Sequence, residues 1–370
     1  MSIRTTIIIF AVIFALGLLA IVILPFVLGA RPNAPRELPA AAVSEATIEQ
    51  GVFRTDDGGR AWAPKYWVEG QAASIAGFRV NRLVLDPSDP QTLYLLTDGS
   101  GLWVSRSRGD LWARVTDRSG VLDPQSNVLA LALNPDDRRE WYAAVFQENR
   151  GRVLRTGDGG ETFREIYFTP VERYGVFDIH FDRGRRSVVI ATGQGGLLET
   201  ADQGLTWRVR RWFADGLVRL LVDPSHPANW YVASSRGKLF RSLDRGGTWA
   251  DVTESFSEFS GALRNQTWAI DRTGTLYLGS RHGLLRSSDQ GLTFSAPPLI
   301  IPPDALPVAA VAVDPRIPSR IVVAAASQLY GSVDGGASWI IVMPPSTKRI
   351  THLAIDLAES QTIYLVEQAQ

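Results

Sequence analysis

The sequence predicts an all-β domain, a closed ring of seven four-stranded sheets, preceded by one apolar membrane-crossing segment. Three observations predict it. One turn recurs seven times, ending in an aromatic at Trp62, Trp112, Phe163, Trp207, Trp249, Phe294 and Trp339, at intervals of 50, 51, 44, 42, 45 and 45 residues. A second mark recurs independently, an Asp or Asn closing a short apolar run at Asp86, Asn134, Asp182, Asp223, Asp271, Asp314 and Asp356. Third, the first turn has no such run before it, and Asp356 is followed by only 14 residues and no turn. A period in the forties built of short strands means a propeller or a solenoid, and the two incomplete units choose between them. "THLAIDLAESQTIYLVEQ" supplies two strands and "GVFRTDDGGRAWAPKYW" two more. Joined in one blade, they seal the ring and remove the exposed edges of an open array.

Taken in order, residues 6–28 are 23 residues without a charge, enough at about 1.5 Å per residue to cross a hydrocarbon core of about 30 Å. A cleaved signal would carry a shorter apolar region and a better small-x-small site than Leu28-Gly29-Ala30, so residues 1–30 read as a signal-anchor. With only five residues before it, the anchor is expected to keep its N-terminus inside and export the domain. Residues 31–47, rich in Pro and Ala, form a tether. Residues 48–370 are the ring. In a typical unit, "LVRLLVDPSHP" is a strand running into a Pro turn, "NWYVAS" and "KLFRS" are the second and third strands, and "TWADVT" after the repeated turn is the fourth.

Composition narrows function by exclusion. The 38 basic and 38 acidic residues cancel, which gives nucleic acid no field to respond to. There is no cysteine for disulfides, thiol nucleophiles or thiolate metal sites. The four histidines, His180, His226, His282 and His352, fall on different units without metal-ligand spacing, and the glycines repeat with the turn, leaving no phosphate cradle. No metal or cofactor is expected.

The repeated turn resembles the Asp-box, or BNR repeat, of sialidase-like propellers, Ser/Thr-x-Asp-x-Gly-x-Thr-Trp/Phe. It is matched well around Asp158, Asp202, Asp244, Asp289 and Asp334, loosely around Asp57, and in degraded form where Ser107 replaces the Asp. The resemblance implies a turn between third and fourth strands, on the face away from the binding mouth. The residues themselves say staple: an Asp accepting backbone N–H groups, a Gly in a conformation others resist, and an aromatic filling a gap between sheets.

Function is then expected on the opposite face, in loops joining second to third strands and blade to blade. The candidates are Asp98, Glu148, Arg150, Arg152, Gln194, Arg236, Lys238, Arg281 and His282, with Asp117, Arg118, Glu254 and Glu258 from longer blade linkers. An Arg-Ile-Pro tripeptide like that of sialidases occurs at residues 316–318, but it falls in a Pro turn repeated as "VDPSHP" and "LDPSDP" in other units. Xyloglucan hydrolases of this repeat class pair two seven-bladed rings, where this sequence encodes one. In length and blade number the chain most resembles the photosystem II stability and assembly factors, single rings at a photosynthetic membrane that bind a membrane-protein partner without catalysis. That resemblance implies a basic patch, for which Arg183, Arg185 and Arg186 with Arg208, Arg210 and Arg211, read as neighbouring blades, are the candidates. The expectation is a membrane-anchored, extracytoplasmic scaffold that binds a protein; the alternative is a glycan-acting enzyme or lectin.

Overall fold

The computed structural model describes residues 50–299, 301 and 307–368. The anchor and tether lie outside the described residues, and among those described no helix is long and apolar enough to cross a membrane.

Seven sheets follow one another along the chain as a seven-bladed β-propeller. Blade 1 comprises Arg79–Leu85, Leu93–Asp98, Leu102–Ser105 and Leu111–Arg114, with Trp67–Val68 added in parallel on its outer edge. Blade 2 comprises Asn127–Leu133, Trp141–Gln147, Arg150–Thr156 and Arg164–Phe168; blade 3 comprises Val176–Asp182, Ser187–Thr192, Gly196–Thr200 and Arg208–Trp212. Blade 4 holds Leu217–Val222, Trp230–Ser234, Leu239–Ser242 and Ala250–Asp251. Blade 5 keeps three strands, Thr267–Ile270, Leu276–Ser280 and Gly283–Ser287, its fourth reduced to the bridge between Arg286 and Ser295. Blade 6 holds Val308–Val313, Ile321–Ala325, Gln328–Ser332 and Ile340–Val342. The only helix among the described residues, Glu254–Ser257, lies in the linker between blades 4 and 5.

Blade 7 is the seam. Arg349–Ile355 and Ile363–Gln368 from the C-terminal end continue into Gly51–Thr55 and Ala63–Pro64 from the N-terminal end. Gly51 faces Glu367, Val52 faces Val366 and Thr55 faces Ile363 in an antiparallel ladder. Val52, Ile363, Leu365 and Val366 are all buried, so the closure is a piece of core as well as a row of hydrogen bonds.

The core lies between blades. One cluster joins Tyr94, Leu96 and Val104 of blade 1 to Val128, Trp141 and Val145 of blade 2; similar clusters join blades 2 and 3, 3 and 4, 4 and 5, and 5 and 6. Each large apolar side chain fully buried there contributes about 1.5–3 kcal/mol. The repeated turns staple these layers. At Asp158, Oδ1 accepts the Thr156 hydroxyl at 2.7 Å and the Thr162 N–H at 3.0 Å, while the Thr156 oxygen accepts Gly160 N–H at 3.0 Å. The same pattern recurs at Asp202, Asp244, Asp289 and Asp334, and at Asp57; the Thr162 hydroxyl adds a bond to Asp158 Oδ2 that Ala61 cannot supply to Asp57. Bonding to the ionised form holds these carboxyls below their ordinary range, at about 2 for Asp202, Asp244 and Asp334. In the degraded copy the Ser107 hydroxyl accepts Leu111 N–H at 3.0 Å and preserves the turn. Gly160 is obligatory: its φ is 93°, and a Cβ would sit 2.5 Å from the Trp141 ring. Two of the terminal aromatics reach backwards, Trp207 Nε1 to Ile166 O of blade 2 and Trp62 Nε1 to Met343 O beyond blade 6, while Trp249 and Trp339 bond to Gly246 O and Gly336 O of their own turns.

Candidate functional site

The mouth of the central channel is built by the first strands of the blades. Six of the seven break register with the second strand at the same place, between Val80 and Arg82, Val128 and Ala130, Val176 and Asp178, Leu217 and Arg219, Val308 and Ala310, and Ile350 and His352. Such a bulge bends the strand and re-aims the next side chain. The residue four before each closing Asp or Asn is Arg82, Ala130, Asp178, Arg219, Thr267, Ala310 and His352 in turn, one per blade.

These positions bring charge together from distant blades. Arg82 Nη1 donates to Asp178 Oδ1 at 2.7 Å and its Nη2 to Phe177 O at 3.1 Å. Arg219 Nη1 stands 3.5 Å from Asp178 Oδ2. Asp178 also accepts the N–H groups of Ile179 at 3.1 Å and Leu220 at 2.9 Å, tying blade 3 to blade 4. Burial alone would raise its pKa, but the two guanidiniums and these hydrogen bonds outweigh burial and hold the carboxyl below its ordinary range. Arg82, and after it burial, brings Arg219 down to about 10. Between blades 7 and 1, His352 Nε2 lies 2.7 Å from the Asn81 carbonyl, and since a carbonyl can only accept, Nε2 carries the hydrogen. Burial first, with Arg82 and Arg219 adding to it, drops His352 from 6.5 to about 4, so it is neutral near pH 7.

A cavity of about 570 Å³ opens over this layer. Its lining includes Asn81, Arg82, Arg219, Asn265, Gln266 and His352 beside Leu83, Val218, Leu263, Val311 and Leu353, and contains no carboxylate. A glycosidase of the usual kind needs two carboxylates flanking the scissile bond. Asp178, the acid nearest the cavity's two arginines, is 5% exposed and fully engaged.

The loop residues singled out from sequence occupy the expected end of the ring but do not line this cavity, which the loop at 234–237 reaches only through Ser234, Ser235 and Gly237. Asp98 pairs with Arg79 at 3.2 Å. Arg152 pairs with Glu148 and Glu165, and Arg150 with Glu172 at 3.5 Å, its guanidinium 5.7 Å from the Phe168 ring centre. Arg236 pairs with Asp215 at 3.0 Å; Lys238 and Arg281 are exposed; the His282 Nδ1 lies 3.1 Å from Ser260 O. Gln194 has a buried Oε1 without a hydrogen-bond partner. Of the linker residues, Asp117 accepts the N–H groups of Ser119, Val121 and Leu122, and Arg118 pairs with Glu161 at 2.8 Å. Glu254 opens the short helix and Glu258 follows its end.

The proposed basic patch needs one correction: both arginine runs lie in blade 3, not in neighbouring blades, because residues 183–186 form the turn between its first two strands and Arg208–Trp212 is its fourth. Much of its charge is neutralised locally. Glu199 sits 2.6 Å from Arg208, 3.6 Å from Arg210 and 3.8 Å from Arg185, and Arg183 pairs with Asp136 at 2.6 Å. Arg186 and Arg211 have no ion pair among the described residues. No group of three or more His, Asp or Glu able to hold a metal ion occurs among the described residues.

Fold and mouth together define a seven-bladed propeller with an arginine-lined channel entrance. No protein-family model matches the chain. A xyloglucanase of Paenibacillus sp is 25% identical over 265 residues, 64% of this chain and 22% of that protein. The photosystem II assembly lipoprotein Ycf48 of Prochlorococcus marinus (strain MIT 9313) is 32% identical over 107 residues, 29% of this chain and 30% of that protein. The chain thus spans less than a third of the length of these relatives. Among solved structures, the GH74 xyloglucanase of Xanthomonas campestris superposes with a TM-score of 0.63 at 19% identity, over 79% of this chain and 51% of that one. YCF48 bound to D1 peptide superposes with a TM-score of 0.59 at 18% identity, over 79% of this chain and 95% of that one. At such identities the superpositions establish the fold: a seven-bladed propeller resembling GH74 xyloglucanases and Ycf48.

Proposed function

We propose that this chain is a non-catalytic propeller that binds a protein partner and serves as an assembly, stability or scaffold factor for a membrane complex. In this reading the apolar residues 6–28 anchor it and the ring lies outside the cytoplasm. One observation carries the proposal: the channel mouth sets two guanidiniums among neutral polar and apolar side chains with no carboxylate in its lining, a composition suited to holding a ligand and unsuited to glycoside hydrolysis. The peptide carried by the YCF48 structure lends support, since that protein is a ring of similar extent. The glycan-acting alternative draws on the xyloglucanase match, which covers more of this chain than the Ycf48 match does. The test is to incubate the purified full chain with xyloglucan and its oligosaccharides and to assay released reducing ends, alongside affinity capture from native membranes. The docking reading expects no hydrolysis and one stoichiometric membrane-protein partner. Catalytic release of sugar would defeat it.

A further inference from the structure

The channel mouth holds a positive charge that its surroundings leave uncompensated. Arg82 donates to Asp178 Oδ1 and to the Phe177 carbonyl. Arg219 has no such bond. Its closest acceptor is Asp178 Oδ2 at 3.5 Å, an oxygen that already takes Leu220 N–H at 2.9 Å, and its guanidinium makes no hydrogen bond among the described residues. A guanidinium offers five N–H donors in a planar fork. The Arg219 side chain is 33% exposed, and Arg219 lines the cavity. Two guanidiniums thus share one carboxylate, leaving a surplus of one charge at a recess with no acid on its wall.

We infer that the channel mouth binds a single carboxylate group, gripped by the Arg219 fork and flanked by Arg82. The stoichiometry of charge favours a monoanion over a dianionic phosphate. The rest of the wall is mixed: Asn81, Asn265 and Gln266 offer neutral hydrogen-bonding groups, and Leu83, Val218, Leu263, Val311 and Leu353 offer apolar contact to what such a group would be attached to. The volume of about 570 Å³ admits either a small organic acid or the last few residues of a polypeptide with its terminal carboxylate. The peptide source deepens the docking function proposed above and rests on it; the carboxylate site itself does not.

The experiment is calorimetric titration of the full chain with propionate and with two short peptides, Ala-Ala-Val as the free acid and as the C-terminal amide. Wild type, Arg219→Met and Arg219→Lys are compared. The free acid is expected to bind at least tenfold more tightly than the amide. Arg219→Met should lose at least tenfold, and Arg219→Lys, which keeps the charge without the fork, should fall between them. Arg219→Met should fold, with a melting temperature at or above wild type, because it removes a like-charge neighbour of Arg82. Equal binding of acid and amide, or undiminished binding by Arg219→Met, overturns the site. Propionate binding without peptide binding upholds the carboxylate site and assigns it to small acids, removing the mouth as support for docking. A membrane-protein partner that binds Arg219→Met as well as wild type leaves the docking function standing and overturns the carboxylate as its contact.

Discussion

Replacing Asp178 by Asn tests the architecture of the mouth directly. The side chain keeps its volume but loses its charge and one of two acceptor oxygens, which now serve Arg82, Arg219 and the N–H groups of Ile179 and Leu220. Breaking a buried ion pair by removing one partner costs about 3–5 kcal/mol, and the lower part of that range applies because Arg82 is 23% exposed. Leaving the Leu220 N–H without an acceptor adds about 1 kcal/mol or more. A loss of about 4 kcal/mol corresponds to a melting temperature lower by roughly 8 °C, at about 2 °C per kcal/mol for a domain of this size. Much of the penalty is repulsion between two guanidiniums that have lost their mediator. Adding Arg219→Met to Asp178→Asn should therefore restore about half of it, a coupling that a double-mutant cycle in urea reads as a free energy. Were Asp178→Asn to melt within 2 °C of wild type, or Arg219→Met to raise stability no more in Asp178→Asn than in wild type, the ion cluster would have no part in holding blades 1, 3 and 4 together.

Stability should also fall with pH through histidine. The unfolded imidazole of His352 takes its proton near 6.5 and the folded one near 4, so its contribution is complete above pH 6.5 and is lost as pH falls towards 4. Unfolding free energies at pH 7 and 4.5 should differ by about 2–3 kcal/mol more in wild type than in His352→Gln; burial also lowers His180, which titrates equally in both proteins and cancels. Asp244→Ala should lower the melting temperature while leaving ligand binding unchanged; unchanged stability with abolished binding would show the turn to be a reagent. Val366→Asp buries a charge opposite Val52 in the seam and should leave the chain without a cooperative melting transition by circular dichroism.

The fold was legible because its punctuation is chemical. Only certain residues can accept the turn's N–H groups or adopt its backbone, so the staples at Asp158 or Asp244 spell themselves out, as do the Asp and Asn residues that close each first strand. At Asp86, Asp223 and Asp314 alike, Oδ1 accepts the N–H two residues on, at 2.8 Å. The mouth was less legible because a bulge has no such spelling. The residues skipped at the six register breaks, among them Asn81, Phe177, Val218 and Thr351, share no chemistry. Plain alternation along a strand gives no reason to aim Arg82, Asp178 and His352 at a common point. Loop residues such as Arg152 and Asp98 stand out in the sequence instead, and they are largely satisfied by local partners.

One signal did lie in the sequence. With the blades aligned on their closing Asp or Asn, the position four residues earlier is Ala in blades 2 and 6 and Thr in blade 5, but Arg, Asp, Arg and His in blades 1, 3, 4 and 7. A ring of equivalent positions tolerates small residues everywhere, because nothing in the closure of the wheel asks for charge there. Asp178 does fasten blade 4 through Leu220 N–H, but a neutral acceptor would do as much without requiring two cations beside it. A charged residue beside a channel carries a desolvation cost, and a buried ion pair is weak evidence of stabilisation. Asp178 and Arg82, its 2.7 Å partner, at least satisfy each other, whereas Arg219 makes no hydrogen bond among the described residues and lies beside a like charge. A group placed where the fold gains least from it is the one whose purpose is a ligand, and in this ring that group is Arg219.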